Sequence, residues 1–471
     1  MDFSSYEDTI AAPATTPGTG AITILRLSGP ETFPILDRTV SFRHGDASGA
    51  GGYTLKGGIV RTKDGEVLDE VLVSFFRAPH SYTGEDAAEI SCHASPYIAG
   101  ELLRLLCAAG ARMARPGEFT QRAFLNGKMD LAQAEVVADI ISSSDAASLK
   151  VAMHQLRGGY SQRLKEVRAQ LLRLTSLVEL ELDFSEEEVT FADREELRTL
   201  LEATRSDVVR LRDSFRLGNA IKNGVPVAIV GPVNAGKSTL LNALLEEDRA
   251  IVSDVPGTTR DSIEESVVLG GVRFRFMDTA GIRSTDDHVE RIGIERSLRR
   301  LSEADVVLMI LDVTAPVKEN AAILSSLLER IDWDAQKVLI LLNKADKLGS
   351  NNIVSICNRY VSLVDNKCEI VSMAAKSWAG IPDLIKWLEK SQNGLLKTSD
   401  ETLVTNLRHY EKLKEAADSL AAAGAALDAE LPGDLLAEDL RTAASSLGAI
   451  TGEITSDEVL GEIFGKFCIG K

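Results

Sequence analysis

VPVAIVGPVNAGKSTLLNALLE, residues 225–246, decides how the centre of this chain folds. Its first residues, 225–230, are an apolar run without alternation, as a strand buried on both faces requires. The closing pattern TLLNALLE, residues 239–246, is helical. Between them, residues 231–239 read GPVNAGKST and match G-x-x-x-x-G-K-[ST]. In that setting backbone N–H groups and the helix N-terminus face a phosphate chain, Lys237 reaches the outer phosphates, and Ser238 ligates magnesium. Asn234, Ala235, Gly236 and Thr239 complete the candidate contacts of the loop. A bare motif can match by chance; the strand before it and the helix after it remove most of that ambiguity.

Further elements follow in the order a GTPase requires. DVPGTTRD, residues 254–261, carries Asp254, Val255, Pro256, Gly257, Thr258 and Thr259, and the Thr259 hydroxyl is placed to complete a magnesium shell. DTAG, residues 278–281, ends a strand: Asp278 holds the metal through water, Thr279 and Ala280 follow, and Gly281 senses the γ-phosphate. NKAD, residues 343–346, ends another strand and brings Asn343, Lys344 and Asp346 to the base. A carboxylate there accepts from N1–H and the 2-amino group of guanine, which adenine does not offer, so the expected nucleotide is GTP or GDP. In SMAAK, residues 372–376, Ala374 stands where such loops often carry Ser, which leaves the backbone to do the binding with Lys376 packed nearby.

One position breaks the usual pattern. Ile282 follows DTAG, where Ras-like enzymes carry the Gln that orients the attacking water. An apolar side chain cannot do that, so either another polar residue serves or hydrolysis is negligible. Asp286, Asp287, Glu290 and Glu295 follow on the same segment, where acidic side chains are most simply solvated.

Outward from this centre the texture changes. Residues 272–281, 304–313 and 337–346 read as further buried strands and complete a parallel α/β sheet. Leu164, Val167, Leu171, Leu174 and Val178 alternate at spacings of three and four in a helical stretch before it. Leu413, Leu420 and Leu427 recur one heptad apart after it. Each segment carries one apolar stripe, so the expectation is that they pack on each other with the α/β domain inserted between; independent hairpins or a coiled coil between chains are the alternatives. Residues 1–126 form a separate α+β domain, with strands in AITILRLSG, GGIVRT and VLDEVLVSFFRAP and a helix in PYIAGELLRLLCAAGA. The expected domains are 1–126, 127–222 (helical, first part), 223–389 (GTPase) and 390–471 (helical, second part).

Composition agrees with a globular, multidomain chain of 471 residues, 44% hydrophobic and 26% charged. A formal charge of −18 argues against nucleic acid being held by a broad basic surface on this chain alone, so a partner is expected to supply charge if one is bound. Five scattered cysteines without a C-x-x-C pair argue against a disulfide framework or a zinc site. The first residues lack the features of a signal peptide and no apolar run approaches the ~20 residues of a membrane span. A cytoplasmic protein without a membrane partner is expected.

PGEFTQRAFLNGKMDLAQAEVVADII (116–141), GTTRD (257–261), DTAGIR (278–283) with VERIGIER (289–296), and CIGK (468–471) together resemble the tRNA-modifying GTPases of the MnmE (TrmE) family, from end to end. The resemblance implies an N-terminal α+β tetrahydrofolate-binding domain that also makes a homodimer, a discontinuous α-helical domain, and an inserted α/β P-loop GTPase domain. It implies that the chain, with an FAD-dependent MnmG-type partner in a heterotetramer, adds a (carboxymethyl)aminomethyl group to C5 of the wobble uridine of certain tRNAs. The one-carbon unit would come from 5-formyl- or methylene-tetrahydrofolate.

The same resemblance answers the missing Gln: a potassium ion takes the place of an arginine finger where two GTPase domains meet. Matched by motif, Asn234, Ser253, Val255 (through its carbonyl) and Thr258 ligate potassium, Ser238 and Thr259 ligate magnesium, and Glu290 orients water. Arg26, Glu85, Lys128 and Lys471 match the folate contacts, and one Glu among cations suits a pterin edge and a glutamate tail. A regulatory or ribosome-assembly GTPase switch is the competing class; the latter would bring a basic RNA-binding module, which this chain lacks.

FGKFCIGK, residues 464–471, places Cys468 where a prenylation box would have its cysteine, but Gly470 and Lys471 do not suit such a box. The resemblance puts this tail beside the folate pocket, with Cys468 as a candidate reactive thiol.

Overall fold

A computed structural model describes residues 7–183, 194–251, 265–277, 301–348, 350–364, 367–392, 402–429 and 431–470. The chain divides into two units, one of residues 1–141, 155–208 and 412–471, the other of residues 142–154 and 209–411.

The second unit contains the strand–loop–helix of the opening motif. Strand β8 (Val225–Val230) is buried at every position, and the helix Lys237–Ile251 follows the loop. Strands β11 (Val306–Asp312) and β12 (Lys337–Asn343) are nearly as apolar, which is what a parallel sheet covered on both faces demands. Strands β9 (Glu265–Leu269), β10 (Val272–Phe276) and β13 (Glu369–Ser372) complete the order β13-β12-β11-β8-β10-β9. All neighbours are parallel except β9, which runs antiparallel to β10. Alternate residues of β11 serve opposite cores: Val306, Leu308 and Ile310 face one, Val307, Met309 and Leu311 the other. Each fully buried side chain of this kind contributes about 1.5–3 kcal/mol.

Within this unit, the two ends of the long segment 209–411 are tied together. The Val404 N–H donates to Ser214 Oγ at 3.1 Å, and the Phe215 and Tyr410 rings stack with centroids 4.7 Å apart.

In the first unit β1 (Ile10–Pro13), β2 (Ile22–Ser28), β3 (Val40–Phe42), β4 (Thr54–Arg61), β5 (Val67–Phe76), β6 (Ala87–His93) and β7 (Arg112–Met113) form one sheet. Its order is β3-β4-β5-β6-β2-β1-β7, antiparallel except where β7 joins β1. One face is covered by the helices Thr32–Thr39 and Pro96–Ala108, whose Phe33, Ile35, Leu36, Leu102 and Leu106 enter the core. Behind the other face, Phe119 of the helix Glu118–Leu125 packs with Ile10 and Ala12.

The helical stripe behaves as its spacing predicts: Leu164, Val167, Leu171, Leu174 and Val178, all on the helix Gly159–Asp183, are buried. That helix packs along the helix Gly433–Thr451, so segments on either side of the inserted sheet share one core. Leu413, Leu420 and Leu427 are buried on the helix Leu407–Asp428.

The short helix Asp457–Gly465 packs Leu460, Ile463 and Phe464 against Leu131 and Ala134. Beyond it the chain forms an antiparallel bridge between Ile469 and Pro116, and the Gly117 N–H donates to the Cys468 carbonyl at 3.3 Å. Gly470, at φ 94°, lies so close to β1 that a Cβ there would stand 2.0 Å from the Pro13 carbonyl oxygen. Only glycine fits.

Candidate functional site

The loop between β8 and the helix Lys237–Ile251 is held from below by two strand ends. Gly231 passes so close to β11 that a Cβ would stand 2.1 Å from the Ile310 carbonyl oxygen. Asn234, at φ 62°, turns the chain in the left-handed region and leaves its side chain exposed. Lys237 begins the helix, and its ammonium donates to the Gly231 and Pro232 carbonyls, each at 2.8 Å. Burial pushes the Lys237 pKa down, a desolvation that an anion bound at the loop would offset. Ser238 is half-buried and Thr239 exposed on the first turn.

Asn343 joins three segments. Its Nδ2 donates to the Ala235 carbonyl at 2.7 Å, and its Oδ1 accepts from the Ala375 N–H at 3.0 Å. The phosphate loop and the SMAAK loop are thus pinned to the end of β12 by one buried amide. Lys344, at φ 65°, donates from Nζ to the Asn234 carbonyl at 2.7 Å and to Asp312 at 2.5 Å. Burial pushes the Asp312 carboxyl up, but hydrogen bonds from Lys344 and Thr314 outweigh it and hold its pKa below the usual value. Asp312 did not stand out in the sequence; its signal was its place at the end of β11, directly opposite Asn343 in the register. Asp346 lies exposed on the short 3-10 turn Ala345–Lys347, and the backbone of Ala374 is tied to Ala379.

Ser253, Asp254, Val255, Pro256, Gly257, Thr258 and Thr259 lie outside the described residues, as do Asp278, Thr279, Ala280, Gly281, Glu290 and Lys471.

In the first unit, three of the residues matched to folate contacts touch one loop, residues 79–85. Arg26 on β2 donates to Glu89 of the paired strand at 2.8 Å and lies 5.4 Å from the Tyr82 ring centroid and 5.6 Å from that of Phe119. Lys128 donates to the Pro79 carbonyl at 2.9 Å. Glu85 accepts from Ser28 Oγ at 2.6 Å, and Ser28 shares the face of β2 from which Arg26 projects.

Behind Glu85 lies a charge cluster that sequence reading missed. Arg122, fully buried, donates to Glu85, Asp8 and Glu118. Arg112 and the backbone and side chain of Arg115 also reach Glu118. Burial pushes the Glu118 carboxyl up, but the bonds from Arg112, the Arg115 N–H and Arg122 outweigh it and hold its pKa at about 2. The cluster's partners are up to 114 residues apart, and no local spacing signals it.

The thiols divide by environment. Burial pushes Cys92 and Cys368 up to about 11, which keeps them protonated and inert, while Cys468 is exposed on the segment bridged to Pro116. Among the described residues no group of His, Cys, Asp and Glu has the arrangement of a metal site, and no helix is long and apolar enough to cross a membrane.

Residues 131–468 match the family model of the MnmE helical domain, and residues 9–128 that of the GTP-binding protein TrmE N-terminus. The chain is 46% identical over 467 residues to a tRNA modification GTPase MnmE of Bacteroides fragilis, covering 99% of this chain and all of the relative. It is 47% identical over 469 residues to the protein of that name in Parabacteroides distasonis, covering 98% of this chain and all of the relative. A model matching most of the length and near-complete alignment at such identity leave one assignment: the chain belongs to the family of tRNA modification GTPases called MnmE.

Proposed function

We propose that this protein hydrolyses GTP and couples that hydrolysis to modification of tRNA. The observation that carries the reading is Asn343, whose amide ties the phosphate loop at Ala235 to the base-side loop at Ala375. Such a stitch holds the two ends of a bound nucleotide at fixed separation, and the exposed Asp346 supplies a carboxylate to which a guanine edge can donate.

The chemistry of the donor set fits the ions. Ser238 on the first helical turn suits magnesium, together with Thr259; Asn234, exposed above the loop, suits potassium with Ser253, Thr258 and the Val255 carbonyl. Potassium, when bound, supplies positive charge beside the phosphates during hydrolysis. Glu290 orients water in the place of the Gln that Ile282 displaces.

In the same reading Arg26, Glu85, Lys128 and Lys471 hold a tetrahydrofolate derivative, 5-formyl- or methylene-tetrahydrofolate, and Cys468 stands near it as a reactive thiol. The mixed set supports this: a carboxylate for a pterin edge and cations for a glutamate tail, with Arg26, Glu85 and Lys128 gathered on residues 79–85 or on elements touching them. The protein acts as a homodimer with an FAD-dependent MnmG-type partner and adds a (carboxymethyl)aminomethyl group to C5 of the wobble uridine. The partner supplies tRNA-binding charge that a chain of net −18 lacks. A cytoplasmic location and the domain limits at 126, 222 and 389 belong to this reading.

Mass spectrometry of wobble nucleosides from cells lacking this chain tests it: the modified uridine should disappear, and its persistence defeats the reading. In purified protein, replacing potassium by sodium and Glu290→Ala should each slow turnover at least tenfold while nucleotide binding is retained.

A further inference from the structure

Arg122 has none of its side chain in contact with solvent, a state a guanidinium reaches only when carboxylates surround it. Its Nη1 donates to the Asp8 carbonyl at 2.8 Å and to the two Glu85 oxygens at 3.2 and 3.3 Å. Its Nη2 donates to Asp8 Oδ1 at 2.6 Å and to Glu118 Oε1 at 3.1 Å. Glu118, fully buried, is itself fixed by Arg112 and Arg115, so the guanidinium has no freedom to follow Glu85 if that side chain moves. Ser28, equally buried, closes the other side: its Oγ lies 2.6 Å from Glu85 Oε2 and 2.6 Å from Thr83 Oγ1. Glu85 remains 16% exposed at its side chain. A carboxylate offers about four lone-pair directions, and the rear ones are taken. What is left is a narrow open edge with a fixed direction.

We propose that Arg122 and Ser28 are positioning residues that aim the free edge of Glu85 at a planar ligand edge bearing two adjacent N–H donors. This rests on the folate reading above, in which the pterin 2-amino group and ring N–H supply those donors. Glu85 sits at the end of an irregular loop, where an unsupported carboxylate would sample several rotamers and lose directional preference. The cluster converts a loop side chain into a rigid one, with β1, β2 and the helix Glu118–Leu125 as its frame.

The test compares binding of 5-formyltetrahydrofolate with that of its analogue bearing a methyl group in place of the 2-amino group, measured calorimetrically on the full chain. The wild type should prefer the first by about tenfold or more, the scale of one hydrogen bond to a charged group. Glu85→Gln should remove most of that preference, and Ser28→Ala and Arg122→Lys should reduce it to within about threefold. A role confined to fold stability would weaken both ligands by one factor and leave the ratio intact. Where Arg122→Lys does not fold, Ser28→Ala decides, because it deletes a single hydroxyl. A wild-type ratio in Ser28→Ala, beside a lost ratio in Glu85→Gln, overturns the positioning role alone. Failure of the wild type to bind either ligand overturns the folate reading and the proposal with it, whereas equal binding of both leaves folate binding intact and overturns the proposal.

Discussion

The phosphate loop and the Arg122 cluster are made of opposite materials. Nine consecutive residues, 231–239, form the loop, and its working groups are backbone N–H and C=O held in place by the ends of β11 and β12. The cluster takes side chains from residues 8, 28, 85, 112, 115, 118 and 122 and centres on one buried guanidinium, Arg122, against one buried carboxylate, Glu118, with the more exposed Asp8, Glu85, Arg112 and Arg115 around them. Backbone sites tolerate many side chains but few added atoms; charge clusters tolerate neither the loss of a charge nor its exchange. The two regions should therefore fail differently.

Gly231→Ala should have the largest effect, since its Cβ meets a backbone oxygen of a central strand that cannot yield. A loss above about 4 kcal/mol is expected for such a clash, read by urea unfolding of the nucleotide-binding unit. Wild-type stability would show that the loop is softer than the contact implies.

Glu118→Gln comes next, at about 3–5 kcal/mol at neutral pH, because it removes the one fully buried carboxylate shared by Arg122, Arg112 and Arg115. The wild type carries a linked acid response. The folded Glu118 pKa of about 2 lies below its ordinary value of 4.5, so its stabilisation is complete above pH 4.5 and is lost as pH falls toward 2. The two values correspond to on the order of 3 kcal/mol. Thermal melts across that window should show the slope in the wild type and a shallower one in the variant.

Asn343→Ala removes both stitches and should cost about 1–3 kcal/mol of stability and tenfold or more in GTP affinity, measured with a fluorescent nucleotide. Cys468→Ser should change stability by less than about 0.5 kcal/mol, as expected at an exposed position, yet abolish wobble modification in cells. Retained modification would remove this thiol from the reacting groups.

The same contrast explains what the sequence made legible. Strands β8, β11 and β12 were readable because a doubly covered strand must be continuously apolar, and the loop between strand and helix was readable because its function needs consecutive residues. Strands β1, β3, β6 and β7 were not read: IAAP is short and Ala-rich, and Arg112–Met113 is held only by its neighbour. Arg26, Glu85 and Lys128 came from resemblance, since their convergence on residues 79–85 depends on sheet order. Arg122 escaped because a buried Arg has no local pattern. Its neighbours Phe119 and Ala123 mark a helix face, and nothing in that face says which carboxylates will meet it.

The bridge from Ile469 to Pro116 and the fit of Gly470 against Pro13 bear on the order in which the molecule can be made. During synthesis the strands near residue 10 leave the ribosome long before Ile469 and Gly470 exist to pair with Pro116 and pack on Pro13. The sheet of residues 225–372 has all its strands at hand earlier. The sheet of the nucleotide-binding unit can therefore form before the other unit receives its segment of residues 412–471.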